Sequence, residues 1–383
     1  MTYCLGWRTQ DGVVIIADSL LSAERPDVYQ HPEIPYTTFG QLQGKTGGKC
    51  LPYVAEEGLK LRVGDNFVGG FAGDVRVGQR LLSHFRDAYT DGRSLRDAAL
   101  RAMRSAGGKT SDTTVLIGAC VGAKPVLLRI DTAQQSVSYV DGLVQTGSVP
   151  EAQQRWTRDM AGSLQGLRHP QLGASANASR LFTPLIALLQ SYGVHDQLLE
   201  RGIGGAFLGA WITPEGPQWQ HDTLYAVHAA DIAATTPVFC GVLVRPGVAS
   251  LISNQTEEIK LITMGEGAPG ADILASADAA IAQFDRGIFD YFVSINSSKH
   301  IVTVIDMQRA RHHALLSIKP AATAGTIGVT WTEELAELVN TIAGVSHPDG
   351  QELTLYYQQY QPVPAQEARR RDLFATGAEG APE

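Results

Sequence analysis

The chain opens with two short apolar runs set around a polar turn, TYCLGWRTQDGVVIIADS. A turn ending in Asp11-Gly12 between such runs predicts a β-hairpin. Its second run, Val13 to Ala17, is continuously apolar, the pattern of a strand buried on both faces. Residues 22–58 then lose periodicity and gather Pro, Gly and Gln, which reads as a functional insertion or partner-binding loop. A second hairpin follows in LKLRVGDNFVGGFAG, turning at Gly64-Asp65-Asn66. Amphipathic helices are predicted over Val75–Thr90 and Ser94–Ser105.

DTTVLIGACVGAKPVLLRID and SVSYVDG read as three more strands, followed by helical patterns near Glu151–Ala161 and Ala174–Ser191. Strands resume in GGAFLGAWITPEG and WQHDTLYAV. Grouped strands and grouped helices favour sheets packed on each other with helices outside, rather than alternating βαβ units. Beyond about residue 235 the pattern restarts with PVFCGVLV, EIKLITM, YFVSI and IVTVID, one helix near Ala271–Phe284 and another near Thr332–Ile342. The expected organisation is a first domain over 1–235 carrying the 22–58 insertion and a C-terminal α/β extension over 236–361. A Pro-, Ala-, Glu- and Arg-rich tail over 362–383 reads as disordered.

Composition narrows the classes. The 383 residues are 44% apolar and 18% charged, ordinary for a globular chain of two domains, or of one with large additions. A net charge of -8 argues against nucleic acid as a partner, and the one basic run, Arg369 to Arg371, lies in the tail. No stretch approaches the ~18 uninterrupted apolar residues of a membrane span, and the start lacks the pattern of a signal peptide. Cys4, Cys50, Cys120 and Cys240 show no C-x-x-C spacing, which fits free thiols in a reducing compartment. The expectation is a soluble cytoplasmic protein.

Candidate chemistry begins at Thr2. An N-terminal threonine carries its own base, because its free α-amine lies beside its own hydroxyl, and that amine has a pKa near ~8. Removal of Met1 exposes it. Asp18 and Lys60 have ordinary alternatives as a turn cap and a strand-edge lysine, and Gly73 and Ser148 as a pre-helix glycine and an N-cap. The order T-Y-C-L-G-W-R-T-Q-D-G-V-V-I-I-A-D nevertheless resembles the first strands of proteasome β-subunits and HslV, and M-T-Y-C-x-G resembles the bacterial proteasome relative Anbu. The resemblance covers about residues 2 to 225.

That resemblance implies an α+β fold, the four-layer αββα sandwich of N-terminal-nucleophile hydrolases. It makes Thr2 the nucleophile, Asp18 and Lys60 its supporting ion pair, and the Gly73 N–H, from G-F-A-G, the oxyanion donor. Ser148, in Gly147-Ser148, supports the amine. Glu200, in E-R-G-I-G-G, stands where the family has an aspartate. Phe71 and Val75 flank the oxyanion turn and would shape the substrate pocket. The activity implied is that of a self-compartmentalising threonine peptidase acting on peptides or unfolded protein. It would assemble as a homo-oligomeric ring or stack, with an ATPase unfoldase as a possible partner and no cofactor. A small-substrate amidase and a catalytically silent scaffold are the alternatives.

Other motifs carry less. Gly265-Glu266-Gly267-Ala268-Pro269-Gly270 is a literal G-x-G-x-x-G, but Pro269 removes a donor where phosphate would sit, and a glycine-rich turn into a helix is the simpler reading. His195-Asp196 and His312-His313 lack metal-ligand spacing, and no serine sits in a G-x-S-x-G elbow. Cys4 reads as a small buried strand residue.

Overall fold

The computed structural model describes residues 2–23, 37–40, 53–105, 112–195, 203–229, 237–255, 259–263, 269–307, 316–320, 327–331 and 354–359. The opening hairpin forms as its pattern requires: β1 (Tyr3–Arg8) pairs antiparallel with β2 (Val13–Asp18), Cys4 opposite Ala17 and Arg8 opposite Val13. The Thr9 hydroxyl closes the turn, accepting from the N–H groups of Asp11 and Gly12 at 3.2 and 3.1 Å. β3 (Leu20–Ala23) pairs with β4 (Tyr53–Glu56), so the two ends of the expected insertion form one ribbon.

β5 (Leu61–Gly64) and β6 (Phe67–Ala72) make the second hairpin, followed by α1 (Val75–Thr90) and α2 (Leu95–Ser105). α1 spans the predicted residues. Leu81, Leu82, Phe85 and Ala88 fall on one face, and the exposed Asp74 caps its start by accepting from Val77 N–H at 3.0 Å. Next come β7 (Thr114–Val121), β8 (Lys124–Asp131), β9 (Ser136–Val140) and β10 (Leu143–Gly147), then α3 (Glu151–Leu164) and α4 (Ala174–His195). The last two run three and four residues past their predicted ends, Ala161 and Ser191. β11 (Phe207–Thr213), β12 (Gly216–Trp219) and β13 (Thr223–His228) follow.

Two five-stranded antiparallel sheets result, ordered β10-β1-β2-β11-β12 and β5-β6-β7-β8-β9. They face each other across small residues. A methyl added at Gly70 would lie 2.7 Å from Ile15, and one at Gly118 2.6 Å from Val13, so glycine sets the sheet separation there. The outer face of the second sheet is covered by α1 and α2, whose apolar stripes form one cluster with Phe67, Phe71, Val115 and Ile117. The outer face of the first is covered by α4, with the Phe182 ring tilted over Trp211 at 5.0 Å.

A third large sheet extends this arrangement. It comprises β14 (Val238–Arg245), β15 (Val248–Ser253), β16 (Lys260–Thr263), β17 (Tyr291–Asn296), β18 (Ile301–Asp306) and β21 (Thr354–Gln359), together with β13, in the order β16-β15-β14-β13-β17-β18-β21. β13 thus lies inside the 1–235 span yet pairs with β14 and, in parallel, with β17. α5 (Ala271–Phe284), as predicted, packs Phe284 on Gly241 of this sheet. β19 (Leu316–Pro320) and β20 (Ile327–Trp331) form a separate ribbon.

α4 lies between two sheets: Phe182 meets the first sheet, and the Ser179 hydroxyl lies 3.0 Å from the Tyr291 hydroxyl of the third. That explains why it is apolar on nearly all sides, from Leu181 to Leu189. Residues 37–40 also reach the third sheet, with Phe39 edge-on to Tyr225 at 5.2 Å and Ser253 Oγ donating to the Thr38 carbonyl at 2.7 Å. The helix expected over Thr332–Ile342 and the tail from Pro362 lie outside the described residues. No helix among the described residues is long and apolar enough to cross a membrane.

Candidate active site

Thr2 enters β1 at one edge of the gap between the two five-stranded sheets, and groups from four elements converge on it. Its Oγ accepts the Gly73 N–H at 2.6 Å. Its carbonyl accepts the Ser148 N–H at 3.1 Å, continuing the β1–β10 ladder in which Tyr3 faces Gly147. Both donor turns depend on glycine. Gly73 has φ +115°, and an added Cβ would lie 2.3 Å from the Asp112 carbonyl oxygen. Gly147 has φ +102°, and a Cβ there would fall 1.8 Å from the Thr2 carbonyl oxygen. A side chain at either position meets both strain and a backbone collision.

Gly73 directly follows the end of β6 and precedes Asp74, the N-cap of α1. Asp74 caps that helix while its own N–H donates to Thr113 Oγ at 3.1 Å, which fixes the turn. The Gly73 N–H therefore sits at the positive end of a 16-residue helix, a favourable place for developing negative charge.

Behind Thr2 lies a buried ion pair. β2 ends in Asp18, 1% exposed, and Lys60, also 1% exposed, lies directly before β5. Asp18 Oδ1 accepts both the Tyr3 N–H at 2.9 Å and Lys60 Nζ at 2.5 Å, so one oxygen ties the ammonium to the residue following Thr2. Lys60 Nζ also donates to the Leu20 carbonyl. Asp18 Oδ2 accepts from Gly204 N–H at 3.4 Å. Burial pushes the Asp18 carboxyl above the usual carboxylate range and the Lys60 ammonium below its own, each effect opposed by the partner's charge. Burial also pushes up the neighbouring Cys4 thiol, which is fully enclosed and packs between the sheets as a core residue.

The structure thus brings together Thr2, Asp18, Lys60, Gly73 and the Ser148 backbone. Phe71 is not among them. It is fully buried on the helix side of β6, its ring filling the space a side chain at Gly78 of α1 would need, while Gly70 faces the other sheet. Strand alternation puts Phe71 in the core rather than on a pocket wall. Val75, the first residue of α1, is half-buried beside the Gly73 turn. Glu200 lies outside the described residues.

No family model matches the chain, and no curated protein matches it in sequence. Among solved structures it is similar to eukaryotic HslV from Trypanosoma brucei at 16% identity and a TM-score of 0.33, covering 55% of this chain and 99% of that one. It is also similar to a Gly-1 mutant of Anbu from Hyphomicrobium sp. strain MC1 at 14% identity and a TM-score of 0.37, covering 57% and 88%. Likenesses this slight assign no function, which falls to the geometry of the site.

Sequence reading missed one group beside the pair. Glu56, at the end of β4, is 2% exposed and accepts from Ala206 N–H at 2.8 Å and the Ser19 hydroxyl at 3.3 Å. The available signal was the Gly204-Gly205 pair. Gly205 takes φ +65°, and an added Cβ would lie 2.8 Å from Glu56 Oε1. Among the described residues no group of three or more His, Cys, Asp and Glu could hold a metal ion.

Proposed function

We propose that the chain is an N-terminal-threonine amide hydrolase of the proteasome type, with the two facing sheets and their helices as its αββα catalytic unit. One observation carries this reading: the Thr2 hydroxyl receives the Gly73 N–H at 2.6 Å while a buried Asp18–Lys60 pair is tied to the next residue. A threonine in an ordinary strand needs neither a positive-φ donor turn at its hydroxyl nor an enclosed ion pair, which is disfavoured unless something requires it.

In the proposed reaction, removal of Met1 leaves the Thr2 α-amine free. Thr2 Oγ attacks the substrate carbonyl, and the α-amine takes the hydroxyl proton. In this reaction the Lys60 ammonium, held by Asp18, lowers the pKa of the amine and so keeps it deprotonated at neutral pH. The Gly73 N–H, now on Oγ, is placed to stabilise the oxyanion, aided by the positive end of α1. The amine then protonates the leaving nitrogen, an ester forms on Thr2, and water cleaves it. Ser148 holds Thr2 through its backbone, and Val75 is the proposed pocket residue beside the oxyanion turn.

Fluorogenic peptides test the proposal. Wild type should turn them over and Thr2→Ala should not. Turnover retained in Thr2→Ala would overturn it, and cleavage of small amides with peptides left intact would redirect it to the amidase. A reducing, cytoplasmic setting, with or without an ATPase unfoldase, belongs to the same proposal, as does a homo-oligomeric ring or stack, whose mass light scattering of the purified protein reads.

A further inference from the structure

Glu56 takes no part in the reaction above, yet its side chain is fully enclosed and both its oxygens are engaged. Oε1 accepts from Ala206 N–H and the Ser19 hydroxyl. Oε2 accepts from the N–H and hydroxyl of Thr38, at 2.8 and 2.6 Å, and from Lys260 Nζ at 3.0 Å. A carboxylate so deeply placed is tolerated only when paired and fully hydrogen-bonded, and here both conditions hold.

The donors come from segments that surround the catalytic pair. Ser19 directly follows Asp18. Ala206 ends the turn whose Gly204 N–H reaches Asp18 Oδ2 at 3.4 Å, and its N–H also donates to Ser19 Oγ at 2.9 Å. Glu56 itself stands at the end of β4, on the stretch that runs into Lys60. Lys260 arrives from β16, at the edge of the third sheet. Gly205 leaves no slack, since a Cβ there would lie 2.6 Å from Ser19 Oγ and 2.8 Å from Glu56 Oε1.

We propose that Glu56 is a positioning residue for the Asp18–Lys60 pair, and that Lys260 of the third sheet is the counter-charge that holds it in place. The inference rests on the reading of Thr2 as the nucleophile. One anchor fixes the chain just after Asp18, the turn behind Asp18 and the approach to Lys60. Loosening it moves the pair relative to Thr2, and a misplacement of about 1 Å costs on the order of 10²-fold in rate. The third sheet is then part of the catalytic support, not an independent appendage.

The test compares full-length wild type, Lys260→Met, Lys260→Arg and Glu56→Gln by steady-state peptide hydrolysis. Rates are normalised to the fraction of molecules acylated at Thr2 by a β-lactone probe, read by intact mass. Lys260→Met and Glu56→Gln should lower kcat by about tenfold or more with KM within about twofold, because positioning acts on the transition state. Lys260→Arg, which keeps the charge, should stay within about threefold of wild type in kcat. If Glu56→Gln does not fold, Lys260→Met still decides, because its side chain lies at the outer, 13% exposed end of the pair. Unchanged kcat in Lys260→Met, or a change in KM alone, overturns the inference while leaving the Thr2 reading intact. A wild type that neither acylates nor cuts peptides overturns that reading, and this inference with it.

Discussion

Replacing Lys60 with methionine removes one charge from the enclosed pair while keeping most of the side chain's volume. Both side chains are 0% exposed and 2.5 Å apart, so the Asp18 carboxylate is left without a counter-charge in the interior. Breaking a buried pair in this way costs about 3–5 kcal/mol. Asp18 keeps the Tyr3 N–H at 2.9 Å and the more distant Gly204 N–H at 3.4 Å, which sets the expectation near the lower end, about 3 kcal/mol at pH 7.

The deficit has a signed pH dependence. Burial already raises the Asp18 carboxyl, and losing the lysine raises it further. A carboxyl whose folded-state pKa exceeds its unfolded value favours folding fully below the unfolded pKa, near ~3.9, and loses that contribution as pH rises through the folded value. The gap between wild type and Lys60→Met should therefore widen from pH 4.5 toward neutrality, by at most about 1.4 kcal/mol per pH unit. Urea unfolding followed by tryptophan fluorescence from pH 4.5 to 8 measures it. Asp18→Asn/Lys60→Met, which removes both charges, should recover at least half of the loss at pH 7. A single-variant deficit under about 1 kcal/mol, or one flat across this range, would mean that Lys60 is not the counter-charge of a buried Asp18 carboxylate.

Four further substitutions probe the same structure. Gly147→Ala puts a Cβ 1.8 Å from the Thr2 carbonyl oxygen at φ +102°, and should cost about 1–3 kcal/mol in thermal unfolding and at least about tenfold in kcat. Gly73→Ala, at φ +115°, should lower kcat by about 10²–10³ with little change in KM, since the oxyanion donor is displaced. Asp74→Ala removes the cap on α1 and should lower the urea-derived stability by about 1 kcal/mol. Arg245→Met removes a two-bond pairing with Asp222, at 2.6 and 2.7 Å, beside a cavity of about 300 Å³, and should cost about 1–3 kcal/mol in the same assay.

How much of this was legible depended on how local each feature is. α1 and α5 could be read to the residue because helical spacing and a defined start lie within one segment. β15 was missed because VASLIS is short and its small residues hide the pattern. β21 was missed because its stability comes from parallel pairing with β18, far away in sequence. The side taken by Phe71 is hidden for a related reason: β6 is buried on both faces, so alternation in the sequence alone cannot say which side looks toward Thr2. Thr2, Asp18, Lys60, Gly73 and Gly147-Ser148 can be proposed from sequence because, although each has an ordinary reading alone, their order along the chain forms one pattern. Glu56 was not, since its partners stand at positions 19, 38, 206 and 260 and only the fold assembles them.

Whether Thr2 is a free N-terminal nucleophile can be read from the intact mass of the purified protein. The protein should be found without Met1, and a β-lactone should add one acyl group to wild type, located on Thr2, and none to Thr2→Ala. Retention of Met1 in every molecule, or acylation that persists in Thr2→Ala, would contradict the account.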